Sequence, residues 1–229
     1  MGLAENNPER YSRQLDIVPP DRLAKTKTTL IGVGAIGRQV ALQLAAMGVP
    51  WLQLVDFDIV ETSNLASQGY LEQDLGKKKV AATAALARQI NKNITLIESD
   101  HRFRRSIDVG NAVFCCVDSI EIRRLIWEAV KETANFFVDG RMSAEVIRIL
   151  TIAGNTGKEH YSASLFSSEE AYSGTCTAKT TIYCANIAAG LMIAQFAKNL
   201  RNLPVDCDLQ MNLLTGEMSV TQPYNVESI

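Results

Sequence analysis

Gly32-Val33-Gly34-Ala35-Ile36-Gly37 closes an apolar run at residues 28–33 (TTLIGV) and opens a stretch of helical spacing at 36–47. Glycine permits the sharp turn and close backbone approach that a phosphate group needs. The helix start beyond it offers free N–H donors and the positive end of a dipole. Asp56 stands just after the next apolar run, residues 51–55, where a carboxylate accepts hydrogen bonds from ribose hydroxyls. Gly32, Gly34, Gly37 and Asp56 are therefore candidate nucleotide ligands. The loop has no Gly-Lys-Ser/Thr ending and so is not a P-loop; on these residues alone an NAD-dependent dehydrogenase is the leading reading.

The residues beyond Asp56 point elsewhere. Val55-Asp56-Phe57-Asp58-Ile59-Val60-Glu61-Thr62-Ser63-Asn64-Leu65, then Gln68, then Asp74-Leu75-Gly76-Lys77-Lys78-Lys79, resembles the strand-end signature and D-x-G-x-x-K stretch of the ThiF/MoeB/ubiquitin-activating family. Upstream, Arg10-Tyr11-Ser12-Arg13-Gln14 is similar to that family's N-terminal arm. Downstream, Val117-Asp118-Ser119 with Arg123 resembles its T-D-N-x-x-x-R element. These segments run in the family's order over roughly residues 10–140.

The resemblance implies an ATP-dependent adenylyltransferase. The C-terminal carboxylate of a ubiquitin-like or sulfur-carrier protein attacks the α-phosphate of ATP, giving an acyl adenylate and pyrophosphate, with positioning and charge neutralisation as the main work. Asp118 would hold Mg²⁺, since hard oxygen ligands suit that ion. Lys79 would meet phosphate oxygens as a compact cation. Asp56 would take the ribose with Asp58 beside it, and Asn64 and Gln68 would supply neutral donors. Arg13 would reach into a neighbouring subunit's site, which implies a homodimer. Without that register, Lys77, Lys78 and Lys79 read as a solvated helix start, and Asp118 reads equally well as a helix N-cap.

The chain departs from the family pattern in three places. Ser67 stands where an arginine is frequent, and Arg38 is a possible substitute cation, although a surface helix arginine is the plainer reading. The T-D-N element appears as Val117-Asp118-Ser119. The C-x-x-C pairs of the zinc-binding branches are absent, so no zinc is expected. Gly174-Thr175-Cys176-Thr177 resembles the crossover segment where family members that form a thioester place their cysteine, which makes Cys176 the candidate nucleophile; a helix start and Lys179 follow it and favour a thiolate, and a plain loop cysteine is the other reading. Cys115, Cys116 and Cys184 lie in apolar stretches and read as core. His101 and His160 have no partners at telling spacing.

The elements that must position these residues alternate between strand and helix. Strand candidates at 28–33, 51–55, 94–97, 112–117 and 136–138 are separated by helix candidates at 36–47, 79–90 and 120–131. That alternation predicts an α/β, Rossmann-like, mainly parallel sheet with helices on both faces. Residues 146–153 are expected as an antiparallel addition, 180–200 as a long apolar helix, and 209–214 with 217–220 as a C-terminal hairpin. The whole of 1–229 reads as one adenylation domain. Within it 1–20 is an N-terminal arm and 155–179 a polar crossover loop.

A net charge of −2 gives no support to broad nucleic-acid or membrane binding, and no apolar run reaches the ~18–20 residues that span a bilayer. The expected setting is cytoplasmic. Five cysteines at scattered spacing do not make a disulfide framework. Two other readings remain: an adenylating enzyme for a short peptide or a tRNA base, and a non-catalytic dimerisation partner of an activating enzyme.

Overall fold

The computed structural model describes residues 8–165 and 180–221. Eight strands form one sheet: β1 (Thr28–Ile31), β2 (Trp51–Val55), β3 (Thr95–Ser99), β4 (Ala112–Cys115), β5 (Phe136–Ser143), β6 (Val146–Ala153), β7 (Asp208–Asn212) and β8 (Glu217–Thr221). Their order is β3-β2-β1-β4-β5-β6-β7-β8. The first five pair in parallel, and β6, β7 and β8 add on in antiparallel fashion. The helices are α1 (Ala35–Met47), α2 (Thr62–Gln68), α3 (Lys79–Ile90), α4 (Ile120–Val130), α5 (Lys158–Ala163) and α6 (Ile182–Leu200).

The central strands read as unbroken apolar runs because both of their faces are buried. From β1, Leu30 joins a core with Val40 and Leu44 of α1 and Met192 and Phe196 of α6. Its neighbour Ile31 faces the other way, into a core with Ile126 and Trp127 of α4 and Tyr161 of α5. Because β1 lies between β2 and β4, the chain leaves it in opposite directions on the two sides. That reversal opens a crevice beyond the carboxyl ends of β1 and β4.

The expected elements are all present, with shifted ends. β1 stops at Ile31 because Gly32 turns the chain at φ +89°. The stretch 155–179, expected as a loop, instead carries the helix α5 before its undescribed part. The sequence there is polar except for Tyr161, which packs edge-on against Trp127 and Phe137 with ring centroids 5.0 Å apart in both cases and so anchors the turn. The arm is short helical turns at Pro8–Tyr11 and Ser12–Gln14, folded against its own chain. Tyr11 and Val18 are buried, and Gln14 Nε2 donates to Met47 O at 2.7 Å. No helix among the described residues is long and apolar enough to cross a membrane.

Candidate nucleotide-binding site

The glycine loop is held in a form that only glycine allows. A Cβ on Gly32 would lie 2.7 Å from Cys116 O, and one on Gly37 would lie 1.9 Å from Gly32 O. Gly34 caps α1 without a side chain, leaving the first-turn amides open to an anion. Asp56 ties this loop to the end of β2. Its Oδ2 accepts from Val33 N at 2.6 Å and its Oδ1 from Asp58 N at 2.8 Å. Each carboxylate oxygen keeps a second lone pair for a ribose hydroxyl. The backbone of Asp56 bonds Ser99 O of β3, and Ser99 lines a cleft of about 460 Å³ with Gln53, His101, Arg104, Ser106 and Ile107.

Lys79 reaches the site through a local pairing of two loops. Val60 N bonds Lys77 O, Gly76 N bonds Val60 O and Lys79 N bonds Asp58 O, with Gly76 in the left-handed region at φ +78°. Asp74 closes the turn by pairing with Lys77 at 3.1 Å. Lys79 Nζ then meets Asp58 Oδ2 at 3.0 Å, with the lysine side chain only 8% exposed against 45% for the aspartate. The run of three lysines is thus not a uniform solvated face: Lys77 is exposed, Lys78 half-buried and Lys79 buried.

Of the two amides, the structure commits Asn64 to the start of α2. Its Oδ1 accepts from Glu61 N at 3.0 Å as half of a capping box. Gln68 lies closer to the loop. Its Oε1 is buried without a partner, 4.0 Å from where a Gly34 Cβ would stand. Turning that carboxamide over puts its NH₂ donor in the same place, facing the glycine loop.

Asp118 follows β4 across the crevice and is exposed, with no hydrogen bond or ion pair to the described residues. It does not cap the next helix. Ser119 does, accepting from Ile122 N, and this removes the N-cap reading of Asp118. Arg123 donates to Val117 O and pairs with Asp139, fixing the peptide before Asp118. Asp139 and Arg141 have no role assigned from sequence. The available signal is two opposite charges at alternate positions of a strand that begins with three buried apolar residues.

Arg38 is neither a phosphate cation nor a surface residue. It is buried, donates to Gly69 O at 3.1 and 3.0 Å and to Thr83 Oγ1 at 3.3 Å, and stacks 4.2 Å from the Tyr70 ring centroid. Burial lowers its guanidinium pKa. Arg13 is exposed at the far end of α1 from the glycine loop, beside Gln14. Cys176 lies outside the described residues. Burial raises the thiol pKa of Cys115, Cys116 and Cys184, which suits core positions and not nucleophiles.

These residues fit a magnesium nucleotide. The crowded glycine cradle admits backbone close to phosphate, the buried Gln68 amide lacks a partner facing it, and an exposed carboxylate stands opposite.

The family model described as the ThiF family matches residues 11–220. "Adenylyltransferase and sulfurtransferase MOCS3" of Sus scrofa is 40% identical over 140 residues, covering 56% of this chain and 30% of the relative. "Ubiquitin-like modifier-activating enzyme 5" of Drosophila sechellia is 32% identical over 162 residues, covering 60% of this chain and 40% of the relative. The chain therefore matches well under half the length of these curated relatives. The crystal structure of E. coli MccB with ATP superposes with a TM-score of 0.75 at 19% identity, covering 96% of this chain and 73% of that one, which speaks for the fold.

Proposed function

This chain belongs to the ThiF family, and on that premise we propose that it adenylates the C-terminal carboxylate of a small protein of the ubiquitin-like or sulfur-carrier kind, using ATP and Mg²⁺. The observation that carries the reading is the convergence on one crevice of the glycine loop with Asp56, the buried Lys79 with Asp58, and the unpaired Asp118. A dehydrogenase needs the first of these and has no use for the other two.

The amides at the start of α1 and the Lys79 ammonium bind phosphate oxygens, while Asp56 holds the ribose and the base extends toward the Ser99 cleft. Asp58 holds Lys79 aimed before the nucleotide arrives, so little reorganisation is left for the reaction itself. Asp118 would hold magnesium, which would supply neutralisation of the charge that develops on the phosphates. The incoming carboxylate then attacks the α-phosphorus and pyrophosphate leaves. When the acyl group passes on, the Cys176 thiolate attacks the acyl carbon, an S–C bond forms, and AMP departs with the electron pair of the broken bond.

The chain works as a homodimer in this reading. α1 has 13 residues, which at ~1.5 Å per residue separates its two ends by about 20 Å. Arg13 adjoins Gln14, which bonds the Met47 end of α1, away from its own glycine loop; this supports a role for Arg13 in a second copy's site.

Calorimetry with ATP, Mg²⁺ and NADH tests the reading at its base. Binding of ATP with Mg²⁺ and not of NADH is expected, and tight NADH binding without ATP binding overturns it. Asp118→Ala is expected to abolish ATP–pyrophosphate exchange driven by the cognate protein while the fold stays intact.

A further inference from the structure

Asp139 of β5 is fully buried, directly across from Cys115 of β4. Such a carboxylate is retained only when paired and hydrogen-bonded, and it has three partners from three elements. Arg123 of α4 reaches it from one side. Arg141 donates from Nε to its Oδ2 at 2.8 Å, and the Tyr161 hydroxyl donates to the same oxygen at 3.1 Å. Arg123 uses the rest of its guanidinium on Val117 O and on Gly140 O, the latter at 3.3 Å. Arg141 uses the rest of its own on Ser164 O at 3.1 Å and Ser164 Oγ at 3.0 Å.

We propose that Arg141, acting through Asp139 and Arg123, is a positioning residue for Asp118. The inference rests on the reading of Asp118 as the magnesium ligand. Asp118 is exposed and bonded to nothing described, so its direction is set by the backbone before it, and the Val117 carbonyl of that backbone is held by Arg123. Arg123 can hold that carbonyl in one place only while Asp139 is locked. Asp139 is a short side chain with two-fold freedom about its terminal torsion, and the Arg141–Tyr161 pair on Oδ2 fixes it. One arginine neutralises the carboxylate, so the second is not required for charge balance. What it adds is geometry. Arg141 is 14% exposed in its side chain against 7% for Arg123, so water can reach the gap that its removal leaves.

A supporting partner of a metal ligand is worth about 10–100-fold in metal affinity. Arg141→Ala is therefore expected to weaken Mn²⁺ binding about tenfold, read by calorimetry on the full chain with a non-hydrolysable ATP analogue present. Arg141→Lys restores an ion pair to Asp139 but not the two bonds to Ser164, and is expected to recover most of the affinity. Ser164→Ala removes one of those bonds and spares Asp139, and is expected to change Mn²⁺ affinity less than twofold or so. If Arg141 only tethers Ser164, this order reverses, and the proposal is overturned. Hydrogen exchange of the peptide spanning residues 116–123 gives a second readout that needs no ligand. Faster exchange in Arg141→Ala than in wild type, well below the melting temperature, supports the relay; equal exchange overturns it. If the wild-type chain binds no ATP analogue, the functional reading fails and the exchange measurement alone decides the relay.

Discussion

Gly37→Ala isolates what the crevice owes to backbone geometry. The added Cβ would lie 1.9 Å from Gly32 O, 2.9 Å from Gly32 C and 3.2 Å from Cys116 Cβ. Two of those atoms are backbone, so no rotamer change relieves the contact. An ordinary carbon–oxygen contact requires α1 to move from the β1 turn by roughly 1 Å or more. Three bonds resist that shift: Gly32 N to Val55 O at 2.9 Å, Val33 N to Asp56 Oδ2 at 2.6 Å, and Tyr70 OH to Val33 O at 2.7 Å. Stretching them at about 1 kcal/mol each, with overpacking of about 1–3 kcal/mol, gives a loss of roughly 4–6 kcal/mol. In a chain of this size that is a fall in Tm of about 8–24 °C. Gly76→Ala is the control. Its φ of +78° carries strain, but nothing lies within 4 Å of the added carbon, so about 1 kcal/mol and unchanged ATP affinity are expected. Thermal melts and ATP calorimetry on both variants decide the matter. A Gly37→Ala protein that melts within about 3 °C of wild type and binds ATP normally refutes the reasoning.

Arg38→Met should cost about 2 kcal/mol in urea unfolding by leaving Gly69 O without its donors, and Arg38→Lys should not rescue it; unchanged stability with lost pyrophosphate exchange would return Arg38 to a phosphate role. Burial pushes the Asp208 carboxyl up, but its bonds to Arg148 and His160 outweigh that and hold it below the usual range. Its contribution is therefore fully present above about pH 4 and lost as pH falls further. Asp208→Asn should be less stable at pH 7 and lose less between pH 7 and pH 3, measured as urea midpoints. Mixing inactive Arg13→Ala with inactive Lys79→Ala chains should restore part of the exchange activity, since one whole site reforms in a mixed dimer; no recovery despite proven subunit exchange removes Arg13 from the partner's site. Cys176→Ala should keep pyrophosphate exchange and lose a dithiothreitol-sensitive adduct with the partner protein, with Cys184→Ala as control on non-reducing gels. An adduct that persists shows that Cys176 is not the acceptor.

The glycine loop, Asp56 and the alternation of strands and helices were legible in the sequence because each is a local matter. A strand, a sharp turn and a helix start are contiguous, and a sheet buried on both faces writes itself as continuous apolar runs. α3 and β2 fall at the residues expected for them. Lys79 was legible only in register with its neighbours, because the pairing of residues 57–60 with 76–79 that buries it against Asp58 joins two loops. The helix α5 was hidden because its sequence is polar apart from Tyr161, whose partners Trp127 and Phe137 come from elsewhere.

Tertiary structure alone settled the arginines and the cap. In sequence Arg38 is a cation after a glycine loop; in space its donors meet Gly69 and Thr83, brought up by α2 and α3, and it becomes a strut. Ser119 and not Asp118 caps α4, a choice made by one residue's difference in where the helix begins. Asp139 acquires its meaning from Arg123, Arg141 and Tyr161, which meet only when α4, β5 and α5 are packed. The amino-acid order fixes which groups are a turn or a strand apart. Which charges face one another across the sheet depends on burial, and a side chain's partner in low dielectric is chosen by the whole fold.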